Sequence, residues 1–150
     1  MKMTPQLWEE YTEFTTKHPR SHILQSAEWG QVKSAWTNEF VIVRNEEGKI
    51  SGTLSILIRK IPMFPCTFMY APRGPICDLH DEEMLKKITD GAKELAKKYS
   101  AMTLKIDTDT PADDHEYARI MKKLGYTLKN DYYNLYLCSY CDIGLFISYV

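Results

Sequence analysis

The sequence is short of the patterns that mark many common functions. None of its seven glycines belongs to an x-Gly-x-Gly phosphate loop, so neither a nucleotide cradle of backbone N–H groups nor a coenzyme A loop is expected. No stretch approaches the roughly 18 consecutive apolar residues of a membrane-spanning helix. The run from Met1 to Glu10 turns acidic before a signal-peptide core could form, which predicts a cytoplasmic protein. Cysteine is sparse: Cys66, Cys77, Cys138 and Cys141. Only Cys138 and Cys141 have zinc-ligand spacing, no second pair exists and no histidine follows His115. Reduced thiols are therefore expected, with no metal site and no disulfide framework. His18, His22, His80 and His115 have no Ser or Cys partner at a readable spacing, which leaves a nucleophilic triad unsupported. Nineteen Lys+Arg against twenty Asp+Glu leave a net charge of -1, too little for indiscriminate binding to nucleic acid or membranes.

What is present is a globular composition, 44% hydrophobic and 26% charged over 150 residues, enough for one core but not for two full domains. Caps and helical periodicity predict four helices. Thr4 precedes Pro5 at a first helical position, and Leu7, Tyr11 and Phe14 recur at i, i+4 and i+7. Ser26 opens the second helix, with Trp29, Val32 and Trp36 as its apolar stripe. Asp81 caps the third, whose buried face is Leu85, Ile88, Ala92, Leu95 and Tyr99; Glu82 and Glu83 early and Lys97 and Lys98 late suit the helix dipole. Thr110 and Pro111 open the fourth, with Tyr117, Ile120, Met121 and Leu124 as its stripe and Gly125 as its stop. Strands are predicted over 40–44, 50–60, 67–71 and 101–107, with a fifth beginning at 126–129. Asn45 to Gly48 forms a hairpin turn in which Gly48 takes positive φ. This order predicts an α/β class protein (an α+β mixed sheet), an acyl-CoA N-acyltransferase (GNAT)-like subdomain with at least one parallel strand pair.

Two segments carry the functional reading. The first is His22-Ile23-Leu24-Gln25-Ser26-Ala27-Glu28-Trp29-Gly30-Gln31-Val32-Lys33, closed by Trp36; the second, beyond the β-rich stretch, is Tyr70-Ala71-Pro72-Arg73-Gly74-Pro75. In this order they resemble the start of the Fem-type peptidoglycan bridge-forming aminoacyltransferases (FemABX family), over roughly residues 5 to 130. The resemblance implies transfer of an amino acid from aminoacyl-tRNA to the stem peptide of a muramyl-peptide or lipid-linked cell-wall precursor. It implies that no cofactor is needed, and that the work is done in the cytoplasm at the inner face of the membrane. The family is built from two acyltransferase-like subdomains, of which residues 1–134 correspond to the first.

The resemblance also nominates site residues. Lys33 matches the basic residue that helps hold the phosphates of the precursor. Read physically, it stands four residues after Trp29 on a helix flank, and an ammonium is a serviceable point charge for phosphate; the alternative is a solvated lysine, the state of most lysines. Arg73 matches the family's turn and offers a guanidinium clamp for phosphate or carboxylate. Alternatively it pairs with a surface acid, while Pro72 and Pro75 stiffen the turn and Gly74 permits the bend. Asp107 ends Leu104-Lys105-Ile106-Asp107, matching a Leu-Arg-x-Asp segment, and serves either as a base or to cap the following loop. The catalytic residue stays unassigned. Met102 stands where some relatives carry a substrate-contacting Tyr. Residues 135–150 depart from the family and form an apolar tail whose single charge is Asp142. They read as a truncation point, a segment that either lies on the sheet as a substitute strand or stays exposed, with an uncovered sheet edge that invites self-association and no transfer by the chain alone. Two other readings stay open: a non-catalytic precursor- or partner-binding module, and a small-molecule N-acyltransferase, which the missing coenzyme A loop disfavours.

Overall fold

The first cap forms as the sequence predicts. Thr4 Oγ1 accepts the Leu7 N–H at 3.2 Å and opens helix α1 (Pro5–Lys17), where Pro5 occupies a position whose N–H would have had no helical partner. A 3-10 turn, Ile23–Gln25, leads into the short helix α2 (Ala27–Val32), capped by Ser26. Strands β1 (Thr37–Arg44), β2 (Ile50–Lys60) and β3 (Thr67–Pro72) form an antiparallel meander. Helix α3 (Glu82–Lys98) crosses to β4 (Ala101–Asp107), which pairs parallel with β3. Helix α4 (His115–Lys123) then leads to the antiparallel strands β5 (Thr127–Lys129) and β6 (Asn134–Cys138). This computed structural model describes residues 3–111, 113–129 and 134–138, and its six strands lie in the order β1-β2-β3-β4-β6-β5. Gly48 takes φ 78 in the β1–β2 turn and Gly125 takes φ 93 after α4, as expected for a hairpin turn and a helix stop.

Strand alternation divides the side chains between two faces. On one, Val41, Leu54, Ile56, Met69, Leu104 and Ile106 pack under Leu85, Ile88 and Ala92 of α3 and Tyr117, Ile120 and Met121 of α4. On the other, α1 and α2 cover only part of the sheet. A smaller cluster of Tyr11, Ala27, Phe40 and Ile50 forms there, with the Tyr11 and Phe40 rings edge to face at 4.9 Å.

Three details differ from the sequence-based expectations. Helix α2 stops at Val32, so Trp36 lies outside it, and Val32 is 69% exposed instead of belonging to a buried stripe. Gly30 packs closely on β1, where a Cβ would stand 1.8 Å from Asn38 Nδ2, and the chain leaves the helix at Lys33, ψ 50. The Trp36 N–H bonds Lys33 O at 2.8 Å and turns the chain into that strand. Helix α4 begins at His115, later than Thr110, because the Asp114 carboxylate accepts the Tyr117 N–H at 3.0 Å and wins the cap; Thr110 donates its hydroxyl to Asp114. At the β3 turn the left-handed residue is Arg73, φ 55, and Gly74 serves for clearance, since a Cβ there would stand 2.5 Å from Leu54 Cδ1. At the start of the tail, Asn134–Cys138 forms strand β6 beside β4, one of the two arrangements open to this segment. Residues 139–150, including Cys141, on which the expectations of truncation and self-association fall, lie outside the described residues.

Candidate substrate-binding face

The two motif segments meet at one buried amide. Gln25 is 0% exposed. Its Nε2 donates to Ser55 O at 3.1 Å and to Pro72 O at 2.6 Å, while its Oε1 accepts the Ser55 N–H at 2.8 Å. The β2–β3 ladder ends at the pair Leu57 and Tyr70, so Ser55 would next face Pro72. Proline has no N–H to give, and the Gln25 amide supplies the donor and acceptor that the sheet lacks there. Tyr11 Oη adds a hydrogen bond to Gln25 O at 2.7 Å, fixing the 3-10 turn against α1. Gly74 completes the fit, because a Cβ would come within 2.9 Å of the amide.

Beyond this anchor the α1/α2 face carries aromatic and charged side chains. Register places Arg59 opposite Phe68, Leu57 opposite Tyr70, Tyr70 opposite Lys105 and Pro72 opposite Asp107. Trp36 meets Phe68 edge to face at 6.5 Å, and the Arg59 guanidinium lies 5.6 Å from the Trp36 ring. Tyr70 Oη donates to Asp107 at 3.2 Å, and Lys105 Nζ stands 5.7 Å from the Tyr70 ring. The sequence left Asp107 as a base or a loop cap; here its carboxylate is held by the Tyr70 hydroxyl. Lys33 Nζ sits 4.9 Å from the centre of the Trp29 ring, an attraction of about 0.5–1 kcal/mol at an exposed site. Trp29 in turn lines a cavity of about 400 Å³ with Ser21, His22, Ser26 and Glu28. His22 Nδ1 accepts the Leu24 N–H at 3.1 Å, so the neutral ring carries its proton on Nε2.

The nominated residues are not brought together. Lys33 precedes the start of β1, its carbonyl bonded to the Trp36 N–H, and Trp36 meets Phe68. Arg73 follows the opposite end of β3, five residues from Phe68, or about 17 Å of extended strand. There Arg73 Nη1 pairs with Asp109 at 3.3 Å, the two side chains being 41% and 65% exposed, and Arg20 donates to the Asp109 carbonyl. Elsewhere, His80 Nε2 contacts Asp114 at 3.0 Å, and that hydrogen bond raises the imidazole pKa. Burial pushes the Cys77 thiol up to about 12, which makes it a poor nucleophile. Among the described residues no group of three or more His, Cys, Asp or Glu side chains could hold a metal ion. No helix of the described residues is long and apolar enough to cross a membrane.

Sequence reasoning passed over Gln25 and Tyr70. The signal for Gln25 was an uncharged polar residue inside an otherwise apolar Ile-Leu-Gln turn. For Tyr70 it was alternation along β3 away from the fully buried Met69 and Ala71.

A family model described as the FemAB family matches residues 7–127. A lipid II:glycine glycyltransferase of Staphylococcus aureus (strain bovine RF122 / ET3-1) is 33% identical over 124 residues, which are 81% of this chain and 29% of that protein. The same enzyme of strain USA300 is 32% identical over the same length. Among solved structures, a crystal structure of FemX is 32% identical with a TM-score of 0.77, covering 87% of this chain and 32% of that one. A probable acetyltransferase, 12% identical with a TM-score of 0.53, covers 97% of this chain and 90% of its own and shares the fold alone. The chain thus spans about a third of the length of the Fem-type relatives it matches.

Proposed function

The chain belongs to the FemAB family, and on that premise we propose that it is the acceptor-binding subdomain of a peptidoglycan bridge-forming aminoacyltransferase. The relatives' name identifies lipid II as acceptor and glycine as the transferred group for those proteins. The corresponding reading here is a lipid-linked or UDP-linked muramyl peptide as acceptor and an aminoacyl-tRNA as donor. Binding is the role assigned to these 150 residues; transfer and tRNA contact belong to the parts of the relatives beyond the matched stretch, as the family resemblance implies.

The observation that carries this reading is the placement of Lys33. Its ammonium is held over Trp29 at one end of a half-covered aromatic face, a position from which a point charge can meet a diphosphate. At the other end Arg73 uses one guanidinium nitrogen on Asp109, which leaves further donors for a carboxylate of the stem peptide. The spacing between them suits an elongated sugar-peptide ligand, phosphates at Lys33 and peptide toward Arg73 and Asp107.

Calorimetric titration with a UDP-linked muramyl peptide tests the proposal. The unmutated chain should bind and Lys33→Ala should bind at least tenfold more weakly; no binding by the unmutated chain, or equal affinity of the two, would defeat it.

A further inference from the structure

The loop between β2 and β3 turns its apolar residues outward. Met63 is 101% exposed and Phe64 63% exposed, between Pro62 and Pro65. The loop is nevertheless held in place: the Ile61 N–H bonds Cys66 O at 3.1 Å and the Phe64 N–H bonds Ile61 O at 3.2 Å. Met63 has φ 68, a left-handed conformation that Gly or Asn adopts at least cost. Neither local conformation nor core packing accounts for a methionine at this tip.

The surroundings are cationic. Arg59 and Lys60 lead into the loop, both exposed, and neither makes an ion pair among the described residues. The Thr67 N–H bonds Ser100 O and its hydroxyl bonds Tyr99 O, which brings the C-terminal turn of α3 to the same end of the sheet. Lys97 and Lys98 stand there, exposed but already paired with Glu94 and Glu39, so the charge open to a ligand at this tip is that of Arg59 and Lys60.

An apolar projection ringed by Lys and Arg fits the surface of an anionic bilayer, where apolar side chains enter the acyl boundary and cations face lipid phosphates. A protein partner fits less well. Two side chains on a convex tip offer far less than the roughly 800 Å² per partner of a stable protein interface, whereas lipid needs no complementary shape. We propose that the Pro62-Met63-Phe64-Pro65 tip docks this protein on an anionic membrane, with Met63 and Phe64 inserted and Arg59 and Lys60 on the headgroups. Docked this way, the end of the sheet that holds Trp36 and Lys33 faces the headgroup layer. That consequence rests on the acceptor-binding reading above; the docking itself does not.

Vesicle flotation of the whole chain decides it, using phosphatidylcholine vesicles with and without phosphatidylglycerol and no muramyl peptide. The unmutated chain should float with the anionic vesicles. The double variant Met63→Ser/Phe64→Ser should lose about tenfold or more in partitioning, with a little-changed thermal melt because Met63 is fully exposed and Phe64 mostly so. Lys60→Gln should lose roughly fivefold on anionic vesicles and nothing on neutral ones. A chain that stays in solution with anionic vesicles overturns the proposal, as does a double variant that floats equally well. A dimer dissolved by the double variant, without vesicle binding, overturns it in favour of a second copy. The acceptor titration contains no vesicles and the flotation contains no acceptor, so each reading can fail alone.

Discussion

The two faces of the sheet are closed by different physics. Under α3 and α4 the closure is apolar: Leu54, Ile56, Met69, Leu85, Ile88 and Leu104 are all almost fully buried. Under α1 and α2 a smaller apolar cluster around Tyr11, Phe40 and Ile50 is joined by polar anchors. Gln25 bridges β2 and β3, Tyr11 holds Gln25, Ser55 donates to Asn38 at 3.1 Å, and Tyr70 donates to Asp107. Apolar packing is non-directional and tolerates repacking, so it makes a scaffold. Hydrogen-bonded anchors fix positions within tenths of an ångström and leave aromatic and charged side chains free to meet a ligand. The family-specific segments fall on the second face, where a position matters more than a volume.

The contrast can be broken by two truncations. Leu104→Ala, at the centre of the apolar face and 0% exposed, should cost about 2–5 kcal/mol in urea unfolding, transfer and cavity terms together. Gln25→Ala should cost about 1–3 kcal/mol, mainly from the buried Ser55 N–H left without a partner. Its effect should be local, with faster amide exchange at Ser55 and through the turn at 73–76. A Gln25→Ala cost above that of Leu104→Ala, or exchange quickened evenly across the sheet, would show that the polar face is as much scaffold as the other.

Charge sharpens the comparison through pH. Glu39 is a polar exception on the apolar side, 5% exposed. Burial alone would raise its pKa, but hydrogen-bonding and cationic partners, Lys98 first and Tyr99 among them, together hold the carboxyl below its usual range. A lowered carboxylate pKa stabilises the fold above the unfolded value, about 4.3, and that stability is lost as pH falls through the folded value. Glu39→Gln should therefore flatten the acid limb of the stability profile. His80 has the opposite sign: the Asp114 hydrogen bond raises its pKa. Its contribution is complete below the unfolded value of about 6.5 and fades as pH rises through the raised one. His80→Ala should remove a slope near neutral pH, smaller than that of Glu39 because the imidazole is solvated. Urea midpoints measured from acid to neutral pH read both; an unchanged acid limb in Glu39→Gln would mean that its partners only offset its burial.

Much of the apolar face was legible in the sequence, because helical and strand periodicities report burial directly. Asp81, the stripe from Leu85 to Ala92 and the strand at 101–107 fall where the pattern puts them; within that strand a register shift buries Ala101 with Leu104 and Ile106. The α1/α2 face was legible only through resemblance. Nothing in the spacing of Gln25, Ser55 and Pro72 says that an amide replaces a missing rung, since the three come from separate elements. Helix α2 was overread: Trp29, Val32 and Trp36 have helical spacing, but the chain leaves the helix at Lys33 and turns into β1. The Asp114 cap was missed because Thr110 followed by Pro111 is also a valid start signal, and the choice rests on the geometry around Tyr117. Of the site residues, Lys33 and Arg73 were nominated by motif, while their different partners, Trp29 and Asp109, emerged only from the structure.

The smallest effect on stability belongs to Lys33, and it is the most informative for function. If Lys33 were one more anchor of the polar face, its removal would resemble that of Gln25. Its side-chain contact is instead a single half-exposed stack on Trp29, and such a surface change usually lies within about 0.5 kcal/mol. Lys33→Ala should leave the urea midpoint nearly unmoved while weakening muramyl-peptide binding at least tenfold. Lys33→Arg keeps the charge and the stacking and should recover most of the affinity, because a phosphate accepts either cation. A charge-swapped Lys33→Glu should bind no more tightly than the alanine variant. Unfolding and titration on the same three proteins separate the cases. An alanine variant destabilised as much as Gln25→Ala would assign Lys33 to the scaffold, and an arginine variant no better than alanine would deny its charge a part in binding.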